Sequence, residues 1–255
     1  MMADRWVGRV ALVTGASVGI GAAIAKKLVK HGMKVVGCAN NGVDKVKAIA
    51  EELKSQNAPG ILHPVKCDIS KENEILAMFA EIKDKFGGVD VCVNNAGLSI
   101  DCPLMSGKTE DWRHLLDVNV LGLSICTREA LNQMTERGVD DGHIFHLSSV
   151  GGHFVFSSVS FYCGTKHMVR ALTEGLRQEL RAKKSNIRIT SISPGYVRTE
   201  FLQRMVGEEI AKKYTYEMKG LDAEDIADAL AYALHAPPHC QVHDILLRPT
   251  NNQNE

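Results

Sequence analysis

The segment VALVTGASVGIG, Val10 to Gly21, decides the fold. Val10 to Val13 is an apolar run of strand length, and the residues from Ile20 to Val29 follow a helical pattern. Between them stand Gly15, Gly19 and Gly21. Glycine permits backbone torsions and close approaches that a side chain blocks. A helix start offers unpaired N–H groups and the positive end of a dipole to a pyrophosphate. The spacing is G-x-x-x-G-x-G rather than the common G-x-G-x-x-G. The glycines alone also fit a tight turn that binds nothing. Their place between a strand and a helix favours a phosphate cradle.

Outward from this turn, short apolar runs alternate with amphipathic stretches. Strands are predicted at 34–39, 65–68, 89–93, 143–147, 187–192 and 244–247. Helices are predicted at 43–54, 75–86, 112–134, 162–181 and 223–235. Alternation of this kind builds a parallel sheet with helices on both faces, and continuous apolar strands suit a sheet buried on both sides. The expected fold is α/β, a doubly wound parallel sheet of Rossmann type. It is read as one domain over 1–255, with a ligand crevice at the carboxyl ends of the strands. Residues 195–221, irregular and mixed in composition, are expected to form a small substrate lobe within it.

Composition narrows the partners. Thirty basic residues balance thirty acidic ones, so no net charge draws the chain to nucleic acid or to an anionic membrane. No apolar run reaches transmembrane length, and MMADRWVGRV lacks a signal-peptide core. The seven cysteines include no CxxC pair, which speaks against zinc and for a reducing compartment. The expected location is the cytoplasm. Ten histidines include no HExxH motif, so no metal site is expected. His143 and His146 stand three apart on one strand and are expected on opposite faces.

Several polar residues fall where strands end. Asn94-Asn95-Ala96-Gly97 follows the fourth strand and Ser148-Ser149 the fifth. Tyr162 and Lys166 are four apart at a helix start and share a face. A nearby ammonium favours phenolate, so the tyrosine pKa is expected to fall below ~10 and suit acid–base work. Asn119 interrupts a long helix, where asparagine is a poor former. The second strand ends in Cys38-Ala39-Asn40-Asn41, without the carboxylate that binds the ribose hydroxyls of NAD. Its absence favours NADP, with NAD as the alternative. A polar turn or a solvated face explains each feature singly.

Together these segments resemble the short-chain dehydrogenase/reductase family along nearly the whole chain. The motifs are TGASVGIG at 14–21, Asp68, NNAG at 94–97, Asn119, Ser149, YCGTK at 162–166 and PGYVRT at 194–199. LSICTREA, LTEGLRQELR and LLRPT point to a cytosolic branch of carbonyl and hydroxysteroid reductases and insect farnesol dehydrogenase-like enzymes. The resemblance implies a catalytic set of Asn119, Ser149, Tyr162 and Lys166. Tyr162 would move the proton and Ser149 orient the substrate oxygen. Lys166 would bind the nicotinamide ribose, and Asn119 would hold a water. The dinucleotide would lie along Gly15, Ser17, Val18, Gly19, Ile20, Gly21, Asn40, Asp68, Asn94, Ala96, Gly97, Tyr162, Lys166, Pro194, Gly195, Val197 and Thr199. Asp68 would meet the adenine, and Asn94 and Gly97 the ribose. Val18 and Asn40 depart from the basic residue that NADP-preferring members of the branch commonly carry there.

Substrate contacts are expected at Ser149, Gly151, His153, Tyr162 and Tyr196. Leu98, Ser99, Phe154, Phe156, Phe201 and Met205 are further pocket candidates. This apolar set suits a hydrophobic alcohol or carbonyl compound. Family likeness also implies a homodimer or homotetramer paired through helices at 109–136 and 162–182. The expected function is NADP(H)-dependent interconversion of a hydrophobic alcohol and its ketone or aldehyde. The alternatives on the same fold are a non-catalytic dinucleotide-sensing scaffold and a redox-neutral isomerase or dehydratase.

Overall fold

The computed structural model describes residues 3–206 and 220–250. Seven parallel strands form one sheet in the order β3-β2-β1-β4-β5-β6-β7. They are β1 (Val10–Thr14), β2 (Lys34–Ala39), β3 (Ile61–Lys66), β4 (Val91–Asn94), β5 (His143–Leu147), β6 (Arg188–Pro194) and β7 (Asp244–Leu247). The helices are α1 (Gly19–Lys30), α2 (Val43–Ser55), α3 (Glu72–Phe86), α4 (Thr109–Leu116), α5 (Leu123–Glu136), α6 (Ser160–Ala182), α7 (Glu200–Val206) and α8 (Ala223–His235). The order reverses between β1 and β4, which pair side by side. A crevice opens there, at the carboxyl ends of the strands.

Strand periodicity assigns the two cores. Ala11, Val13, Val35, Phe145 and Ile192 face α1, α2 and α8, where they meet Ile24, Leu28, Val46, Ile226 and Leu230. Leu12, Val36, Cys92, Ile144 and Ile189 face the other way, onto Ile75, Phe79, Ile82, Cys126, Met134 and Leu180 of α3, α5 and α6. Each such fully buried aliphatic side chain contributes about 2 kcal/mol through burial. His143 falls on the Phe145 face and stacks on that ring at 3.9 Å. His146 lies on the opposite face, against Thr127 and Thr173.

Two elements differ from the sequence reading. The third strand covers 61–66 rather than 65–68. Pro64 lies inside it and broke the pattern, yet β3 is an edge strand, where a missing N–H is tolerated. The long helix expected at 112–134 is two helices, α4 and α5, joined by a π-helical turn at Asp117–Gly122. Six cysteines are buried, Cys240 is exposed, and all seven are free. Among the described residues no helix is long and apolar enough to cross a membrane.

Candidate active site

The glycine turn is built by close approach. Gly15 has φ +68°, and a Cβ there would sit 3.0 Å from both Ala96 Cα and Asn95 Nδ2. At Gly21 a Cβ would meet Gly15 O at 2.2 Å, so any side chain would push α1 off the turn. Val18 precedes α1 in extended conformation without a side-chain cap, and no acidic residue stands in the first turn. The first N–H groups of α1 therefore face the crevice with no carboxylate competing for them. On the other side Thr199 packs at 3.0 Å from the position of a Gly19 Cβ, which brings the segment after β6 against the turn. That segment is tied down by Gly195 N donating to Leu247 O at 2.7 Å and by a bridge between Val197 and Leu221.

Asn95 is the residue the sequence reading missed. Its Nδ2 donates to Thr14 O at 2.8 Å, and its N–H, with that of Ala96, donates to Thr14 Oγ1 at 3.0 Å. It locks the segment after β4 to the glycine turn; the Asn94-Asn95 doublet was the available signal. Asn94 itself turns inward, donating to Thr127 Oγ1 at 2.9 Å. Asp68 accepts from the N–H and hydroxyl of Ser70 at 3.0 and 2.7 Å. Burial would raise its carboxyl, but the Ser70 bonds and the Lys71 ammonium outweigh burial and hold it below the ordinary value. Asn40 is exposed beyond the end of β2. A Cβ at Gly42 would fall 2.7 Å from Ser17 Oγ, so the loop after β2 packs on the glycine turn.

The four expected catalytic residues converge. The π turn gives Asn119 its role: Oδ1 accepts from Leu98 N at 2.9 Å, and Nδ2 donates to Leu98 O at 2.9 Å and to Thr165 Oγ1 at 3.1 Å. One buried amide thus ties α6 to the loop after β4. Lys166 is buried and donates from Nζ to Leu147 O at 2.8 Å, while Nζ lies 5.8 Å from the centre of the Tyr162 ring. A Cβ at Gly97 would come within 3.3 Å of Asn119 Oδ1 and 3.5 Å of Lys166 Nζ, so the glycine keeps these two polar atoms open to the crevice. Ser149 Oγ accepts from Gly151 N at 3.0 Å, and a Cβ at Gly151 would crowd both Ser149 Oγ and Tyr162 Cε1 at 3.4 Å.

Burial sets the electrostatics. It pushes the Tyr162 phenol up to about 12, opposed by its hydrogen bond with Ser149. It pushes the Lys166 ammonium down to about 8. The tyrosine pKa expected to fall is therefore raised. Lys166 is as desolvated as the phenol, and loss of water outweighs attraction across 5.8 Å. At neutral pH the site holds a neutral phenol beside a charged lysine. Burial also drives His146 down to about 3. Among the described residues no three metal-binding groups cluster.

His153 places Nε2 3.0 Å from Ser193 Oγ and 3.3 Å from Asp244 Oδ2. Phe201 is the aromatic beside the phenol, its ring centre 6.0 Å from that of Tyr162. Among the described residues, Ser99 Oγ is buried with no hydrogen-bond partner. On the same edge of the sheet Leu104, Met105, Phe154 and Val155 are exposed. Tyr196 lies at the base of the expected lobe, against Gly220. The lobe lies in part outside the described residues, as does the Met205 side chain. The cradle that Gly15, Gly21 and Gly97 keep free of side chains, ending at the Tyr162–Lys166 pair, fits a dinucleotide.

Comparison with known proteins agrees with this geometry. The chain matches the short chain dehydrogenase family over residues 9–209. It is 57% identical over 251 residues to "Dehydrogenase/reductase SDR family member 11" of Gallus gallus, covering 97% of this chain and 98% of that protein. It is 46% identical over 253 residues to "Farnesol dehydrogenase" of Aedes aegypti, covering 98% and 99%. The structure of an alcohol dehydrogenase from Thermococcus sibiricus, complexed with 5-hydroxy-NADP, superposes with TM-score 0.82 at 28% identity, covering 97% and 99%. The chain belongs to the short chain dehydrogenase family and is an NAD(P)-dependent oxidoreductase acting on CH–OH groups.

Proposed function

We propose that this enzyme interconverts a hydrophobic alcohol and its ketone or aldehyde with NADP(H), in the cytoplasm, as a homodimer or homotetramer. The observation that carries the reading is the neutral Tyr162 phenol beside Ser149 and Lys166, at a mouth edged by apolar side chains. In the direction of reduction, Tyr162 gives its proton to the substrate oxygen, which the Ser149 hydroxyl holds. Burial keeps that phenol protonated until needed. Lys166 places a positive charge against the ring, where it stabilises negative charge developing on the phenol oxygen. Asn119 keeps the loop at Leu98 and helix α6 in register. The dinucleotide would lie on the α1 N-terminus and beside Gly97 and Lys166, and when bound it supplies or accepts the hydride.

Apolar chemistry at the mouth supports a hydrophobic substrate. Phe201 stands beside Tyr162, and Leu104, Met105, Phe154 and Val155 are exposed on the same edge. The relative from Aedes aegypti acts on farnesol, an isoprenoid alcohol, which agrees with that chemistry. NADP preference is supported by the lack of a carboxylate at Ala39–Asn41, by Lys45 at the start of α2, and by the NADP-type ligand of the archaeal neighbour. Lys45 pairs with Glu200 at 3.3 Å on the surface, a weak contact that a 2′-phosphate would outcompete. Exposed Leu116, Leu121, Met168 and Leu172 on and between α4, α5 and α6 support pairing of subunits through these helices.

The test is oxidation of NADPH and of NADH with purified protein and a panel of a ketosteroid, farnesal and a small diketone. Turnover of an apolar carbonyl, faster with NADPH, is expected. Turnover confined to polar carbonyls, or faster with NADH, overturns the substrate class or the cofactor preference respectively. Light scattering that finds a monomer at micromolar concentration overturns the assembly.

A further inference from the structure

The turn that carries Ser149 is held from behind by three charged or titratable side chains. Ser149 opens the short helical turn Val150–Gly152, with Gly152 N donating to Ser149 O at 2.8 Å. The turn sits directly on α6: a Cβ at Gly152 would lie 2.9 Å from Lys166 O. Arg170 Nη1 donates to Gly152 O at 2.9 Å. Helical spacing puts Tyr162, Lys166 and Arg170 on one stripe of α6, so the helix that carries the acid also grips the serine's turn.

His153 closes that turn and binds the far strands. Its Nε2 lies 3.0 Å from Ser193 Oγ of β6 and 3.3 Å from Asp244 Oδ2 of β7. Asp244 completes the circuit, accepting from Ser193 Oγ at 3.0 Å and lying 3.7 Å from Arg170 Nε. The single Ser193 proton goes to Asp244, so His153 Nε2 must itself donate. Burial first, and the Arg170 guanidinium second, hold this imidazole below its ordinary pKa, so the neutral Nε2–H form makes the contact.

We infer that His153, Asp244 and Arg170 are positioning residues, which fix the Ser149 hydroxyl against the Tyr162 phenol through the Val150–Gly152 turn. The inference rests on the proposed joint action of Ser149 and Tyr162 on the substrate oxygen. It assigns His153 to the support of the site rather than to the wall that touches substrate. A misplacement of about 1 Å at a reacting group can lower a rate by about 10²-fold, and a loosened turn should lower it by about tenfold.

The experiment compares His153→Ala, His153→Gln, Asp244→Asn and the His153→Ala/Asp244→Asn double variant with wild type. His153→Ala and Asp244→Asn should each lower kcat about tenfold while leaving the dinucleotide KM within twofold. The double variant should be no slower than the slower single one. His153→Gln, whose amide also donates, should recover most of the rate. Hydrogen exchange of segment 148–156, which needs no turnover, should speed up in His153→Ala and Asp244→Asn and not in His153→Gln. Unchanged exchange overturns the inference, whatever the kinetics. So does an unchanged kcat with a raised carbonyl KM, which marks a substrate contact, or an equal loss in His153→Gln. Faster exchange in variants of a wild type that turns over no carbonyl would leave the clamp standing and remove the proposed function.

Discussion

Replacing Lys166 by methionine should abolish turnover and make the free protein more stable. Lys166 is 4% exposed, and burial lowers its ammonium from 10.5 to about 8. That difference corresponds to about 3 kcal/mol against the charged form at neutral pH. Methionine has similar length and no charge. It forfeits the Nζ bond to Leu147 O, about 1 kcal/mol. The net gain at pH 7 is about 2 kcal/mol. Its pH dependence has a definite sign. Between about 8 and 10.5 the unfolded chain holds the lysine proton and the folded chain does not, so wild-type stability rises with pH in that window. The advantage of Lys166→Met should therefore be full below about pH 8. It should close toward pH 10.5, leaving the variant slightly less stable by the lost hydrogen bond. Other titrating groups are common to both proteins and cancel in the difference. Urea unfolding of both proteins at several pH values measures it. A variant less stable than wild type at pH 7, or an advantage that does not change with pH, refutes the reasoning.

Other outcomes follow from the same geometry. Gly21→Ala places a Cβ 2.2 Å from Gly15 O, and should raise the dinucleotide KM at least about tenfold by displacing the α1 N-terminus; steady-state titration of NADPH checks this, and an unchanged KM contradicts it. Asn40→Asp puts a carboxylate beyond β2, and should shift preference toward NADH by about tenfold, read as the ratio of the two kcat/KM values. In the pH profile of reduction, kcat/KM should decline as pH rises through about 8, where Lys166 loses its charge, because Tyr162 keeps its proton to about 12. A profile that stays flat to pH 10 removes Lys166 from that role.

The strand–turn–helix at Val10–Gly21 and the order of elements were legible because parallel strands buried on both faces read as plain apolar runs. Of the proposed catalytic set, Ser149 stands at a strand end and Tyr162 and Lys166 at one helical spacing, signals that a sequence carries locally. What escaped depends on contacts between distant segments. Pro64 breaks a strand pattern, and only the position of β3 at the sheet edge makes it acceptable. Asn119 marked an irregularity in a helix, but a π turn reaching Leu98 and Thr165 has no local signature. The Tyr162 pKa depends on how much water the fold removes, which spacing cannot convey. His153, expected at the substrate from its place after a strand end, has bonds that spacing could not convey. Its partners, Ser193 and Asp244, lie 40 and 91 residues further along.

The most direct test of the central claim is a single turnover with NADPH-loaded wild type and Tyr162→Phe, following NADPH loss and alcohol formation together with farnesal as the carbonyl. The account predicts one alcohol formed per NADPH oxidised by wild type. It predicts a Tyr162→Phe protein that binds NADPH with equal affinity and turns it over at least about 10²-fold more slowly. Turnover by Tyr162→Phe at the wild-type rate, or NADPH lost without alcohol formed, would contradict it.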